Sequence, residues 1–243
     1  MKFQLICCDP AWKFSDRLSM SDTKRGAEAN YSVMSNADIA GLDINSLADP
    51  DGCVLALWVP SSLLQVGLDT MKAWKFEQKQ SYIWVKIKKD PLNKIKKHIV
   101  KFMKLASKIK GKESFVLKDY LEGLEGIFSF YKLDEVLSFY MGRLMRQTHE
   151  ICLIGINNPN IYKKLKNKSQ RSVSFAPNLK HSQKPESLQD SLDLMFPDTD
   201  DYTLNRLEMF GRRSRDNWKV IGNEAHDTLG EDIRVSIDKL IKE

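Results

Sequence analysis

What this chain lacks narrows it first. No apolar run approaches the ~20 residues that a membrane-spanning helix needs, so no membrane association is expected. The opening MKFQLICCDPAW has neither the apolar stretch nor the small-residue cleavage site of a secretory signal. Cysteine is sparse, and Cys7, Cys8, Cys53 and Cys152 offer no C-x-x-C spacing. That excludes the common zinc and dithiol motifs, and no metal is expected. All four lie in apolar runs and read as reduced core thiols of a cytoplasmic protein. Internal repeats and low-complexity linkers are also missing. Wholesale disorder is excluded too, because 42% of the 243 residues are hydrophobic and 29% charged, ordinary globular usage.

Acid is missing from one place in particular. The chain carries 38 Lys and Arg against 32 acids, a net charge of +6. Between residues 86 and 112, however, eleven lysines face a single acid, Asp90, so this stretch carries +10 and the remainder −4. A mildly acidic body with one intensely basic segment points to a polyanionic partner, nucleic acid.

Short apolar runs of strand length occur at residues 3–8, 54–59, 82–87, 151–156 and 207–210. Helical stretches with start signals lie between them: one opened by Ser35, one running from Ser61 and Ser62 to Trp74, and one opened by Lys184-Pro185 and reaching Phe196. Residues 231–241 read as a last amphipathic helix. Buried strands alternating with helices predict a three-layer α/β domain with a mainly parallel sheet. Residues 88–138 break this rhythm. Ile95, Ile99, Phe102, Ala106 and Ile109 step by three and four, with Lys94, Lys97, Lys101, Lys104 and Lys108 on the other face. This predicts a basic amphipathic helix, followed by an acidic helix-like piece over residues 115–140, together a helical insertion.

Asp9-Pro10-Ala11-Trp12 directly follows the first strand, and open α/β sheets bind ligands beyond the carboxyl ends of their strands. The Asp9 carboxylate and the Pro10 carbonyl are neighbouring acceptors suited to an exocyclic amine, with the Trp12 ring available to stack on a planar base. On these four residues alone, a strand-ending turn with a core tryptophan is the simpler reading.

Further motifs decide the matter. In order they are Tyr31-Ser32-Val33-Met34-Ser35, Leu57-Trp58-Val59, Ile83-Trp84-Val85-Lys86, His149-Glu150, His181-Ser182-Gln183-Lys184-Pro185, Glu208-Met209-Phe210-Gly211-Arg212, and Trp218 followed by Gly222-Asn223-Glu224. With DPAW in place of DPPW, this series resembles the N-6-adenine methyltransferase family that includes eukaryotic mRNA adenosine methyltransferases and bacterial and phage DNA adenine methyltransferases. The resemblance covers nearly everything outside the insertion and the last helix. It implies a permuted Rossmann-like fold, a single methyltransferase domain over residues 1–243, and S-adenosylmethionine as cofactor.

By the same resemblance Asp9, Pro10, Ala11 and Trp12 form the catalytic motif, and Tyr31, Trp84, Glu150 and Ser182 border the base pocket. Asp9, Lys184, Glu208, Phe210, Arg212, Asn223 and Glu224 are implied as cofactor contacts. Ala11 departs from the family proline. The lysine face, with Lys86, Lys97, Lys101, Lys104 and Lys108, is expected to contact phosphates, and Lys163, Lys164 and Lys166, together with Lys168 and Arg171, to flank the same groove. The expected activity is DNA adenine N-6-methylation of a flipped base in duplex DNA, monomer or dimer being open. The alternatives are RNA adenosine methylation, or a catalytically silent nucleic-acid-binding subunit, which the retention of Glu208, Arg212 and Asn223 disfavours.

Overall fold

The computed structural model describes residues 1–14, 34–90, 93–106, 122, 136–139, 144–178 and 183–243. The chain divides into two compact units. The first comprises Met1–Ile83, Glu150–Ser174 and Glu186–Glu243, the second Trp84–His149 and Phe175–Pro185.

Seven strands form the sheet: β1 (Leu5–Cys8), β2 (Val54–Val59), β3 (Glu77–Ile87), β4 (His149–Ile156), β5 (Val173–Pro177), β6 (Arg206–Met209) and β7 (Lys219–Ile221). Their order is β5-β3-β4-β2-β1-β6-β7. β1 pairs in parallel with β2 and β6, and β6 with β7, while β2 and β4 run antiparallel. Every residue of β1 and β2 is buried, which explains their unbroken apolar runs: a central strand covered on both faces has no polar side. The architecture is therefore the expected α/β arrangement with a mostly parallel sheet.

Five α-helices accompany it among the described residues: α1 (Asn36–Ala40), α2 (Leu64–Ala73), α3 (Asn93–Ala106), α4 (Ser187–Met195) and α5 (Ile233–Lys242). Ser35 caps α1 as expected, its hydroxyl accepting from the Asp38 N–H at 3.0 Å. The stretch opened by Ser61 and Ser62 begins as a 3-10 turn before becoming α2. α4 starts at Ser187 rather than at Lys184, with Glu186 as its first flanking residue and Pro185 buried just before it. Trp12, Ile39, Met71, Ile233, Ile237 and Leu240 join the sheet residues Ile6, Leu55, Leu57 and Leu207 in the core of the first unit.

Two strands escaped the sequence reading. β5 has only Val173 and Phe175 as large apolar residues and both are exposed, while β7 is three residues long. Neither carries the buried apolar run that marks the others.

In the second unit α3 confirms the basic helix between residues 93 and 106. Lys96, Lys97, Lys101 and Lys104 are exposed and Ile99 is half-buried, but Val100 and Met103 are also exposed, so the exposed face is not purely basic. The side chains of Lys94, Ile95 and Phe102, and residues Lys108 and Ile109, lie outside what the structure describes. So does most of the acidic piece. At its described end Val136 is in a 3-10 turn, Leu137 forms an antiparallel bridge with Ile87, and the Ser138 N–H donates to the Lys86 carbonyl at 2.8 Å.

Candidate active site at the carboxyl ends of the strands

Register brings the first unit's motifs to one end of the sheet. Cys8 lies opposite both Leu57 and Met209, so residues 9–12 leave β1 where residues 210–212 leave β6. The Asp9 N–H reaches the Met209 carbonyl at 3.4 Å. Met209 lies opposite Ile221, and the Gly211 N–H donates to the Ile221 carbonyl at 3.1 Å, which brings Gly222, Asn223 and Glu224 to the same end. Because β4 is antiparallel, with Ile151 opposite Val59, Glu150 enters the sheet there too.

After Asp9, Pro10, Ala11 and Trp12 form a tight three-residue turn, closed by the Trp12 N–H donating to the Pro10 carbonyl at 2.9 Å. The Ala11 carbonyl accepts from the Met34 N–H at 3.1 Å, and Trp12 forms a parallel bridge with Met34. Trp12 is only 3% exposed, and its Nε1 donates to the Trp58 carbonyl at 2.8 Å. The ring therefore anchors the turn from the core side rather than offering an open face for stacking, a correction to the sequence expectation. A buried indole needs a partner for its N–H, and the Trp58 carbonyl, at the end of β2, supplies one. Pro10 is buried, whereas Asp9 and Ala11 remain partly exposed.

The β6 end is shaped by close backbone approach. Phe210 sits in the left-handed region at φ 61°, which a bulky residue adopts only when its surroundings impose it. A Cβ on Gly222 would lie 2.6 Å from the Gly211 carbonyl oxygen, and one on Gly211 would lie 2.3 Å from Val220 and 3.3 Å from the Glu208 Cγ. The two glycines thus let the β6 and β7 ends meet and leave room for the Glu208 side chain. Glu208 is half-buried beside Cys7 in the β1 register. Burial pushes its carboxyl above the usual range, and the charges of Asp9 and Glu186 add to this, while Gln189 and Arg213 act to lower it. Arg212 pairs with Glu224 through Nε at 3.5 Å, and Asn223 and Glu224 are exposed.

Other predicted residues fall elsewhere. Tyr31, Ser182 and Lys108 lie outside the described residues. Trp84 and Lys184 belong to the second unit. Trp84 is 2% exposed, with Nε1 donating to the Ala176 carbonyl at 3.0 Å. Lys86 is 7% exposed, with its ammonium 5.1 Å from the Trp84 ring centroid, so it does not belong to the exposed lysine face. Lys163, Lys164 and Lys166 do not flank the candidate site. They follow the C-terminal end of β4, which the antiparallel pairing puts beside the start of β2, with Ile156 opposite Val54. There Asn157 and Asn158 bond the carbonyls of Asp49 and Pro50, and Lys164 lies 4.0 Å from Asp49.

Sequence reading missed Gln189 and Arg215. Arg215 donates to Glu186 at 3.1 Å, Asp190 at 2.7 Å and Asp193 at 2.8 Å, and so clamps α4 to the loop after β6. The i, i+4 and i+7 spacing of those acids was the one available sign. Among the described residues no cluster of His, Cys, Asp and Glu is placed to hold a metal ion, and no helix is long and apolar enough to cross a membrane.

A mostly parallel α/β sheet with acidic, proline-bounded and glycine-shaped loops at its carboxyl end is the frame of a Rossmann-like methyltransferase. The MT-A70 family model matches residues 3–115 and 128–224, and the chain belongs to that family. MT-A70 proteins are methyltransferases that generally depend on S-adenosylmethionine. Among similar proteins is the N(6)-adenosine-methyltransferase MT-A70-like protein of Drosophila melanogaster, 31% identical over 85 residues. That match covers 35% of this chain and 12% of the relative's length.

Proposed function

We propose that the chain transfers a methyl group from S-adenosylmethionine to the N6 amine of adenine in nucleic acid, with duplex DNA as the substrate and a flipped adenine as the acceptor. The observation that carries this reading is the parallel register that sets the Asp9-Pro10 turn beside Glu208 and Phe210. The basic α3, with four exposed lysines described, supports a polyanionic substrate. RNA is the second reading, favoured by the name of the Drosophila relative. The proposed setting is the cytoplasm.

The residues present fit the cofactor. Glu208 is a half-buried acceptor suited to ribose hydroxyls, and the Asn223 amide is exposed in the β7 exit at the same end of the sheet. When bound, the cofactor supplies an electrophilic methyl group, whose bond to sulfur breaks as the N6–carbon bond forms, with one amine proton released. The chain's own task is to make the amine nucleophilic, because its lone pair is delocalised into the ring. The Asp9 carboxylate accepts one N–H and the Pro10 carbonyl accepts the other through the lone pair that Trp12 leaves unused, which favours a tetrahedral nitrogen. The hydrogen bond to Trp58 keeps the turn from relaxing. Preorganised acceptors of this kind contribute through orientation and electrostatics.

The test is tritiated S-adenosylmethionine with duplex DNA, single-stranded DNA and RNA side by side, using Asp9→Ala as control. Label in N6-methyladenine of duplex DNA supports the full reading. Label in RNA alone replaces the substrate, and no label in any nucleic acid overturns the activity.

A further inference from the structure

Resting on the duplex DNA reading above, we propose that α3 is a reading helix: Asn93, Val100 and Met103 face base edges in the major groove while the lysines beside them hold the flanking phosphates. The motif series says nothing of these three residues.

The face of α3 is basic, but not only basic. Val100 is 49% exposed and Met103 55%, on a helix whose Lys96, Lys97, Lys101 and Lys104 are exposed as well. Asn93, the first residue of α3, is exposed too, and its side chain makes no hydrogen bond among the described residues. At 3.6 residues per turn these side chains fill an arc of roughly 160°. Across the arc their order is Met103, Lys96, Val100, Asn93, Lys104, Lys97 and Lys101. Asn93 and Val100 form its middle, Met103 adjoins Val100 at a spacing of three, and cations lie on both sides. Adjacent exposed apolar side chains rimmed by charge mark a contact surface.

Charge and shape select the partner. Residues 86–112 carry +10, so a second copy of this face is repelled and a dense polyanion is attracted. The major groove of B-form DNA admits one α-helix, with phosphates along both walls and base edges on the floor. A helix seated there turns the sides of its exposed arc to the walls and the middle to the floor. On α3 the sides carry Lys96 and, opposite, Lys97 and Lys101, whereas the middle carries an amide and an apolar group. The chemistry matches the floor: an asparagine amide pairs with the N6 and N7 edge of adenine, and apolar side chains contact the thymine methyl. From Asn93 to Met103 the helix rises about 15 Å, the length of about four base pairs. The deep, narrow major groove of an RNA helix has no room for such a helix.

The experiment compares wild type with Asn93→Ala, Val100→Gln and Met103→Gln. All three positions are exposed, so circular dichroism and thermal melting should match wild type. Each protein selects duplexes from a pool with a randomised centre. Affinity for the enriched duplex and for a shuffled one is then read by fluorescence anisotropy across a salt series. Wild type should enrich a motif, and each variant should lose about ten-fold on the enriched duplex. Affinity for the shuffled duplex and the logarithmic salt slope should stay unchanged, because the phosphate contacts remain. Variants that enrich the wild-type motif unaltered overturn the proposal, as does an equal loss on both duplexes with a lower slope. Tighter binding of duplex RNA than of duplex DNA overturns it too, as does binding to phosphatidylserine vesicles that Val100→Gln and Met103→Gln abolish. If wild type binds no duplex DNA, the substrate reading and the proposal fall together; binding without sequence preference removes only the proposal.

Discussion

The carboxyl end of the sheet in the first unit and the lysine helix α3 in the second work by opposite physics. At the sheet end each group has fixed neighbours: Trp12 on the Trp58 carbonyl, Gly211 on the Ile221 carbonyl, Gly222 on the Gly211 backbone. Individual atoms matter there, because one displaced acceptor disturbs the next. On α3 Lys96, Lys97, Lys101 and Lys104 are exposed, and Lys96 lies 3.8 Å from Asp90. Such groups act through their summed charge, and no single one is indispensable. Substitutions should therefore be severe and specific in the first region, graded and salt-dependent in the second.

Asp9→Ala should have the largest effect. It removes one of two acceptors at the reacting nitrogen and should lower turnover on the order of 10²–10³-fold, by analogy with lost oxyanion-hole donors. Its melting temperature should stay near wild type, since the turn is closed by backbone bonds of Trp12 and Met34. Turnover close to wild type in a folded variant would move the catalytic role away from this turn.

Next is Gly222→Ala. The added methyl meets backbone, which cannot swing aside as a side chain can, so the ends of β6 and β7 must part. A loss of about 1–3 kcal/mol is expected in chemical denaturation, with weaker S-adenosylhomocysteine binding. Unaltered stability would mean that the two strand ends are not as tightly joined as described.

Replacing Lys97, Lys101 and Lys104 together by glutamine sharpens the contrast from the other side. Nucleic-acid affinity should fall for all sequences alike, and the logarithmic salt slope should drop by roughly 0.9 per lost phosphate contact with duplex DNA. Cofactor affinity should not move. An unchanged slope would make α3 a merely solvated face.

The smallest effect belongs to Ala11→Pro. The turn uses the Pro10 and Ala11 carbonyls and the Trp12 N–H, and not the Ala11 N–H, so proline should be accepted, with a gain of about 0.4–1 kcal/mol from a stiffer unfolded chain. Thermal melting and turnover measured together test this. A drop in both would show that Ala11 needs a conformation closed to proline.

The sequence by itself determined the α/β class, the buried strands β1, β2 and β4, the Ser35 cap and the basic helix, because apolar period, capping and charge are local signals that each segment carries alone. It also carried the family resemblance, through eight short motifs in order. Strands β5 and β7 were invisible to it, since one is exposed and the other has three residues. Which motifs meet was decided only by the tertiary structure. The antiparallel placement of β4 brings Glu150 to the same end as Asp9 and sends Lys163, Lys164 and Lys166, beyond the other end of that strand, to the opposite end. Strand direction arises from pairing between distant segments, which no local pattern encodes. Trp12 turned inward for the same kind of reason: its partner, the Trp58 carbonyl, lies 46 residues away, and only the folded sheet brings the two within 2.8 Å.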